Sequence, residues 1–115
     1  MIQVRFEKSE DGKSLILTVK GHSGQATLGQ DIVCASASIL AYTVAQTVII
    51  MRDQGKLKKK PTIRLDSGDA VITCKPNRAY FNEALHTFYV AEVGYILLNH
   101  KYPEFVNVIR LDETK

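Results

Sequence analysis

Hydrophobic and polar residues alternate from the second position onward. Ile2, Val4 and Phe6 fall on one side of an extended chain, and Gln3, Arg5 and Glu7 on the other. That period of two marks a half-buried strand. Asp11-Gly12 supplies a turn, and Leu15, Leu17 and Val19 resume the alternation, which predicts a hairpin. The second strand runs into Gly21-His22 and a loop holding Gly24 and Gly29. Asp31 then stands as a natural N-cap, and a helix is expected over residues 32–54 with Gly55 as its stop. A second hairpin is expected from Thr62 to Lys75, turning at Ser67-Gly68-Asp69. Pro76-Asn77 breaks that strand, and Asn77 is placed to cap a second helix from about Arg78 to Lys101. Phe81, Leu85, Phe88, Glu92 and Ile96 trace its rows. Tyr102-Pro103 ends it, because the residue before a proline avoids the helical region. Phe105 to Leu111 reads as a closing strand. The order is ββαββαβ, an α/β fold of the α+β type in which an antiparallel or mixed sheet is packed with two long helices.

The run from Ile32 to Met51 raises the question of a membrane, because twenty residues without a charge are long enough to span one. Ser36, Ser38, Thr43, Gln46 and Thr47 interrupt it, and several of its residues are only Ala. A largely buried core helix is therefore expected, and no membrane partner. Composition agrees. The 115 residues suit a single domain spanning 1–115, large enough to bury roughly 65% of the surface the unfolded chain exposes. A hydrophobic share of 45% and a charged share of 23% exclude disorder. Net charge is +3, too weak to indicate direct nucleic-acid binding without a clustered basic face. Two cysteines at unrelated spacing are no disulfide framework, and no charged-then-apolar leader opens the chain, so a cytoplasmic location is expected.

The strongest candidate chemistry is the pair of His22, at the end of a strand, and Cys34, near the start of a helix. With Asp31 as N-cap, Cys34 falls at the third helical position, where unpaired backbone N–H groups and the helix dipole favour a negative charge. If the glycine-bearing loop folds back, His22 reaches the sulfur, either taking its proton or sitting beside the thiolate as imidazolium, and later protonates a leaving amine. The same N–H groups are placed to stabilise an oxyanion. By residue type and position alone, a cysteine near a helix start is more often a small buried residue.

The surrounding residues carry more than position. Gly21-His22, then Gly29-Gln30-Asp31-Ile32-Val33-Cys34-Ala35, with Ser38 following, resembles the signature of the ribosomal-processing cysteine protease family, called Prp. Gly94-Tyr95-Ile96-Leu97-Leu98 and Tyr102-Pro103-Glu104-Phe105-Val106 are similar to that family's helix end and final strand. The twelve-residue step from His22 to Cys34 and the order of elements also agree, so the likeness spans nearly the whole chain. The resemblance implies a homodimeric protease without a cofactor, using Cys34 as nucleophile and His22 as base. It implies removal of a short N-terminal extension from large-subunit ribosomal protein twenty-seven, after an aromatic residue in a short apolar motif. Phage-encoded relatives process head or scaffold proteins instead. Ser23 stands where the family commonly has Ala, and Ala35-Ser36-Ala37-Ser38 where it commonly has Ala-Ala-Val-Ser. Both changes keep the residues small.

Supporting roles follow residue by residue. Gly21 lets the chain leave the strand at angles other residues resist, and is a candidate hinge. Gly29 matches the family glycine that closes the loop. Asp31 is either a cap or a participant in the chemistry. Ser38 lies one turn beyond Cys34 on the same face, placed to orient the site or merely to bond the helix backbone. Two further features are weaker. Five cations between Arg52 and Lys60 lack interleaved aromatics and read as a solvated loop, although a noncatalytic ribosome- or capsid-assembly module would use them as its contact. Cys34, Cys74, His22, His86 and His100 show no close zinc-type spacing, so no metal is expected. A thiol redox or acyltransferase role would need a resolving thiol or acyl carrier, and Cys74 reads as a strand-core residue.

Overall fold

The computed structural model describes residues 1–22 and 28–113, with residues 28–31 described by their backbone course alone. Seven elements follow in the expected order: β1 (Ile2–Lys8), β2 (Leu15–Lys20), α1 (Leu28–Asp53), β3 (Ile63–Asp66), β4 (Asp69–Cys74), α2 (Phe81–Lys101) and β5 (Val106–Ile109). The strands form one sheet in the order β3-β4-β2-β1-β5. Every neighbouring pair is antiparallel except β1 and β5, which run parallel, so the sheet is mixed.

Register puts the alternation to use. Val4 lies opposite Val19, Leu17 opposite Ile72, and Val4 also beside Val108. One face therefore carries Ile2, Val4, Phe6, Leu15, Leu17, Ile72 and Cys74, all buried, and both helices cover it. The other face carries Gln3, Arg5 and Lys20 in solvent. From α1 come Val33, Ala37, Ala41, Val44, Ala45, Val48 and Met51, whose spacing makes one stripe down the helix. From α2 come Ala84, Phe88, Ala91, Glu92, Tyr95 and Leu98. Phe6 is the hub of the aromatic centre, edge-on to Phe88 at 6.5 Å and to Tyr95 at 5.9 Å between ring centroids. The Tyr95 hydroxyl donates to the Ala37 carbonyl at 2.8 Å, tying α2 to α1 inside the core.

Four details differ from the expectation. First, α1 begins at Leu28 rather than residue 32, so Asp31 lies within the helix and is not its N-cap. Second, α1 is not largely buried. It is long and apolar enough to cross a membrane, yet only 33% of that window is buried, and Ile32, Ile39, Tyr42 and Ile50 face outward. Third, Asn77 does not cap the second helix through its side chain. Its amide donates instead to the Gly55 carbonyl at 3.2 Å, closing the end of α1, and a short 3-10 turn at Arg78–Tyr80 precedes α2. Fourth, the closing strand is shorter than residues 105–111. The Phe105 N–H bonds Tyr102 at 3.0 Å in a turn, and the Leu111 N–H leaves the sheet to reach the Glu92 carboxylate at 2.7 Å.

Gly55 stops α1 as expected: its N–H bonds the Arg52 carbonyl and that of Lys56 bonds Met51, both at 3.0 Å. The Ser67-Gly68 turn joins β3 and β4 where expected, with Asp66 opposite Asp69.

Candidate active site

His22 sits where β2 runs out beside the sheet's β3–β4 turn. Gly21 has φ +96°, and a Cβ there would overlap the Met1 carbonyl, so only glycine fits the strand exit. Two backbone hydrogen bonds fix that exit. The Gly21 N–H donates to the Gly68 carbonyl at 2.9 Å, and the Met1 nitrogen donates to the His22 carbonyl at 2.7 Å. The imidazole is exposed to solvent on one side. On another it rests against Gly68, where an added Cβ would run into Nε2 and lie 2.7 Å from Cε1.

Cys34 approaches from the opposite wall. Because α1 starts at Leu28, Cys34 lies in the second turn of the helix and not the first. Its amide belongs to the hydrogen-bonded interior of the helix, and the dipole effect falls off within the first turn. The expected cradle of unpaired N–H groups is therefore not at the sulfur. What the helix supplies is direction: Cys34 is half-buried, a thiol not engaged in a disulfide, and it faces a recess of about 230 Å³. Ala37, Ser38, Ala41 and Tyr42 continue the same wall, while Gly21, His22, Leu65, Asp66, Gly68 and Asp69 form the facing one.

The structure thus brings His22, Cys34, Gly21 and Ser38 to one recess. Asp31 and Gly29 lie in the first turn of α1, where the side-chain positions fall outside the described residues, as do residues 23–27 altogether. Asp69 also lines the recess. Its carboxylate pairs with Arg64 at 3.1 Å and with Lys20 at 3.8 Å. His86 belongs to a different recess, and among the described residues no three His, Cys, Asp or Glu side chains converge as a metal site. The basic stretch is partly consumed internally: Lys56 binds the Glu83 carboxylate at 3.0 Å and lies over the Tyr80 ring.

A family model for cysteine protease Prp matches residues 1–107. The chain belongs to the Prp family. Solved structures carry the same fold. The ribosomal processing protease Prp of S. aureus, crystallised with a substrate peptide, is 21% identical with a TM-score of 0.69, covering 95% of this chain and 98% of that one. The same S. aureus protease with a covalently linked product peptide is 23% identical with a TM-score of 0.66, covering 94% and 97%. SMU.848 from Streptococcus mutans is 22% identical with a TM-score of 0.69, covering 96% and 94%. A comparison with curated protein sequences gives no match.

Within this Prp domain, sequence reasoning missed the facing wall. Leu65, Asp66 and Gly68 looked like an ordinary hairpin turn. The pairing of Lys20 with Asp69, the Gly21 N–H bond to the Gly68 carbonyl and the contact of Gly68 with the imidazole show that this turn abuts His22. Sequence pattern predicts strands but not which strand lies beside which, so no local signal marked these residues.

Proposed function

We propose that this chain is a cysteine endopeptidase with Cys34 as nucleophile and His22 as general base and acid, removing a short N-terminal extension from large-subunit ribosomal protein twenty-seven. The observation that carries the reading is the meeting of Cys34 and His22 on facing walls of one recess in a chain of the Prp family. His22 takes the thiol proton as the Cys34 sulfur attacks the scissile carbonyl carbon. The same imidazole then protonates the leaving amine as the C–N bond breaks and a thioester forms. Water, deprotonated by His22, attacks the thioester and restores the thiol. Because the Cys34 amide is committed to the helix, the oxyanion takes its hydrogen bonds from elsewhere, and the Ser38 hydroxyl, which lines the same recess, is one donor of the right kind.

The size of the recess supports a peptide rather than a small molecule as substrate. At about 230 Å³ it lies below the roughly 300–1,000 Å³ of small-molecule pockets, and Val19 and Ala70, facing the Ala37 and Ala41 wall, give its lining the apolar surface to receive one apolar side chain. That fits an extended segment which presents an aromatic residue and leaves its neighbours outside. The whole chain, residues 1–115, acts as one protease domain, without a cofactor and in the cytoplasm. A homodimer is part of the same reading. It is supported by the outward apolar residues of α1 and α2, among them Ile39 at 59% and Leu97 at 63% exposure, which flank a shallow groove between the helices.

The test is incubation with the precursor of large-subunit ribosomal protein twenty-seven, followed by intact mass, beside a Cys34→Ala control. Loss of the extension with the wild type alone is expected. An uncleaved precursor together with rapid Cys34 alkylation would move the substrate to a phage head or scaffold protein. An uncleaved precursor with an inert thiol would return the chain to a binding role.

A further inference from the structure

The imidazole of His22 is held by a residue that has no side chain. We infer that Gly68, in the β3–β4 turn, is a positioning residue for His22, and that its missing Cβ makes the seat in which the ring lies. The inference rests on the reading of His22 as the base for Cys34. Two independent contacts support it. A Cβ on Gly68 would overlap Nε2 and stand 2.7 Å from Cε1 and 3.0 Å from Cδ2, so the ring tip occupies the space where any other residue would put an atom. The Gly68 carbonyl also accepts the Gly21 N–H at 2.9 Å, so the turn grips the backbone next to the same histidine. The turn therefore touches both the backbone that leads into His22 and the ring itself. β4 carries the turn and pairs with β2 along its whole length, from Lys20–Asp69 to Leu15–Cys74, which gives the seat a rigid footing. A base that is solvent-exposed on one side needs such a wall, since a misplacement of about 1 Å in reacting groups costs about 10²-fold in rate.

Backbone strain is the competing cause of any Gly68 phenotype, because Gly68 has φ +70°. Gly12 separates the two. It has φ +72°, also in a hairpin turn, and nothing lies within 4 Å of a Cβ placed there. Asn separates them again, since it tolerates positive φ yet carries a Cβ.

The experiment measures the pH profile of Cys34 alkylation by iodoacetamide, and kcat and KM on a peptide carrying the cleavage motif. The variants are Gly68→Ala, Gly68→Asn, Gly12→Ala, His22→Ala and the double variant His22→Ala/Gly68→Ala. Gly68→Ala and Gly68→Asn should both move the alkylation profile towards that of His22→Ala and lower kcat by about 10²-fold with little change in KM. Gly12→Ala should behave as wild type, and Gly68→Ala should add nothing in the His22→Ala background. Recovery by Gly68→Asn, or an equal loss in Gly12→Ala, would assign the effect to strain and overturn the positioning role. A wild-type profile in both Gly68 variants, with His22→Ala altered, would overturn it directly. If His22→Ala itself leaves the profile unchanged, the Cys–His reading falls and the positioning falls with it.

Discussion

One cysteine lies near each end of the sheet, Cys34 on α1 and Cys74 on β4, and the two could hardly be more differently placed. At the Lys20–Asp69 end, Cys34 faces a recess shared with an imidazole. At the Leu15–Cys74 end, the second thiol is fully enclosed, and burial pushes it up to about 11. That second end also holds the wider recess, about 1070 Å³ between the start of the β1–β2 turn, α2 and the 3-10 turn at Leu111–Glu113. Its buried carboxylate, Glu92, is already occupied by the Leu111 N–H at 2.7 Å and by Arg110 at 3.6 Å. Size therefore does not locate the chemistry. A thiol reacts where it meets both solvent and a proton acceptor, and only the smaller recess brings a thiol and an imidazole together.

The contrast is sharpest in activity. Cys34→Ala should lower precursor cleavage by roughly 10³-fold or more, while Cys74→Ala keeps it, both read by intact mass after incubation. Next comes labelling. At pH 8 the folded protein should take one iodoacetamide adduct, on Cys34, because a thiol titrating at about 11 is ionised to only about one part in a thousand there. A second adduct on native protein at that pH would break the comparison. Stability follows. Cys74→Ser places an unpartnered hydroxyl in the core and should cost about 1–3 kcal/mol in denaturant titration. The Cys74 thiol titrates higher when folded than its ordinary 9.0, so the folded state keeps a proton that the unfolded chain gives up. Its contribution is complete below pH 9 and is lost as pH rises towards 11. The stability difference between wild type and Cys74→Ala should shrink or reverse across that window, and a difference flat in pH would contradict the burial. The smallest effect belongs between the two ends. Tyr95→Phe removes the 2.8 Å bond to Ala37, a carbonyl one turn beyond Cys34, and should cost about 0.5–1.5 kcal/mol with cleavage retained.

Most of the fold was legible because each element carries its own signal. The alternation at Ile2–Val4–Phe6, the Asp11-Gly12 and Ser67-Gly68 turns, the Gly55 stop and the Pro103 break are all local, and all stand where expected. Errors arose where a local preference met a tertiary claim. Asp31 looks like a cap, but the helix runs past it to Leu28. Asn77 looks like a cap, but the end of α1 takes its amide. Arg110 and Leu111 look like strand, but a buried carboxylate nineteen residues back takes the Leu111 N–H and turns the chain away. In the site, His22 and Cys34 were marked by spacing and resemblance, whereas Gly68 was invisible as a partner because strand order is not written in any one segment.

One pairing described above also sets an order of events. β1 lies inside the sheet, one strand from its edge, and the edge strand beside it is β5, with Ile2 beside Val106 and the Asn107 amide donating to Gln3 at 2.9 Å, 104 residues apart. The other neighbour, β2, pairs through a short turn and is available early. During synthesis the first hairpin can form as soon as it emerges, but its outer edge waits for nearly the entire chain. Closing so long a loop is entropically slow and sets the pace for folds rich in distant contacts. Ile2, the residue at which that late strand docks, is also part of the recess holding Cys34. A nascent or truncated chain lacking β5 would therefore leave Ile2, one of the residues lining the Cys34 recess, without the strand that fixes it in the sheet.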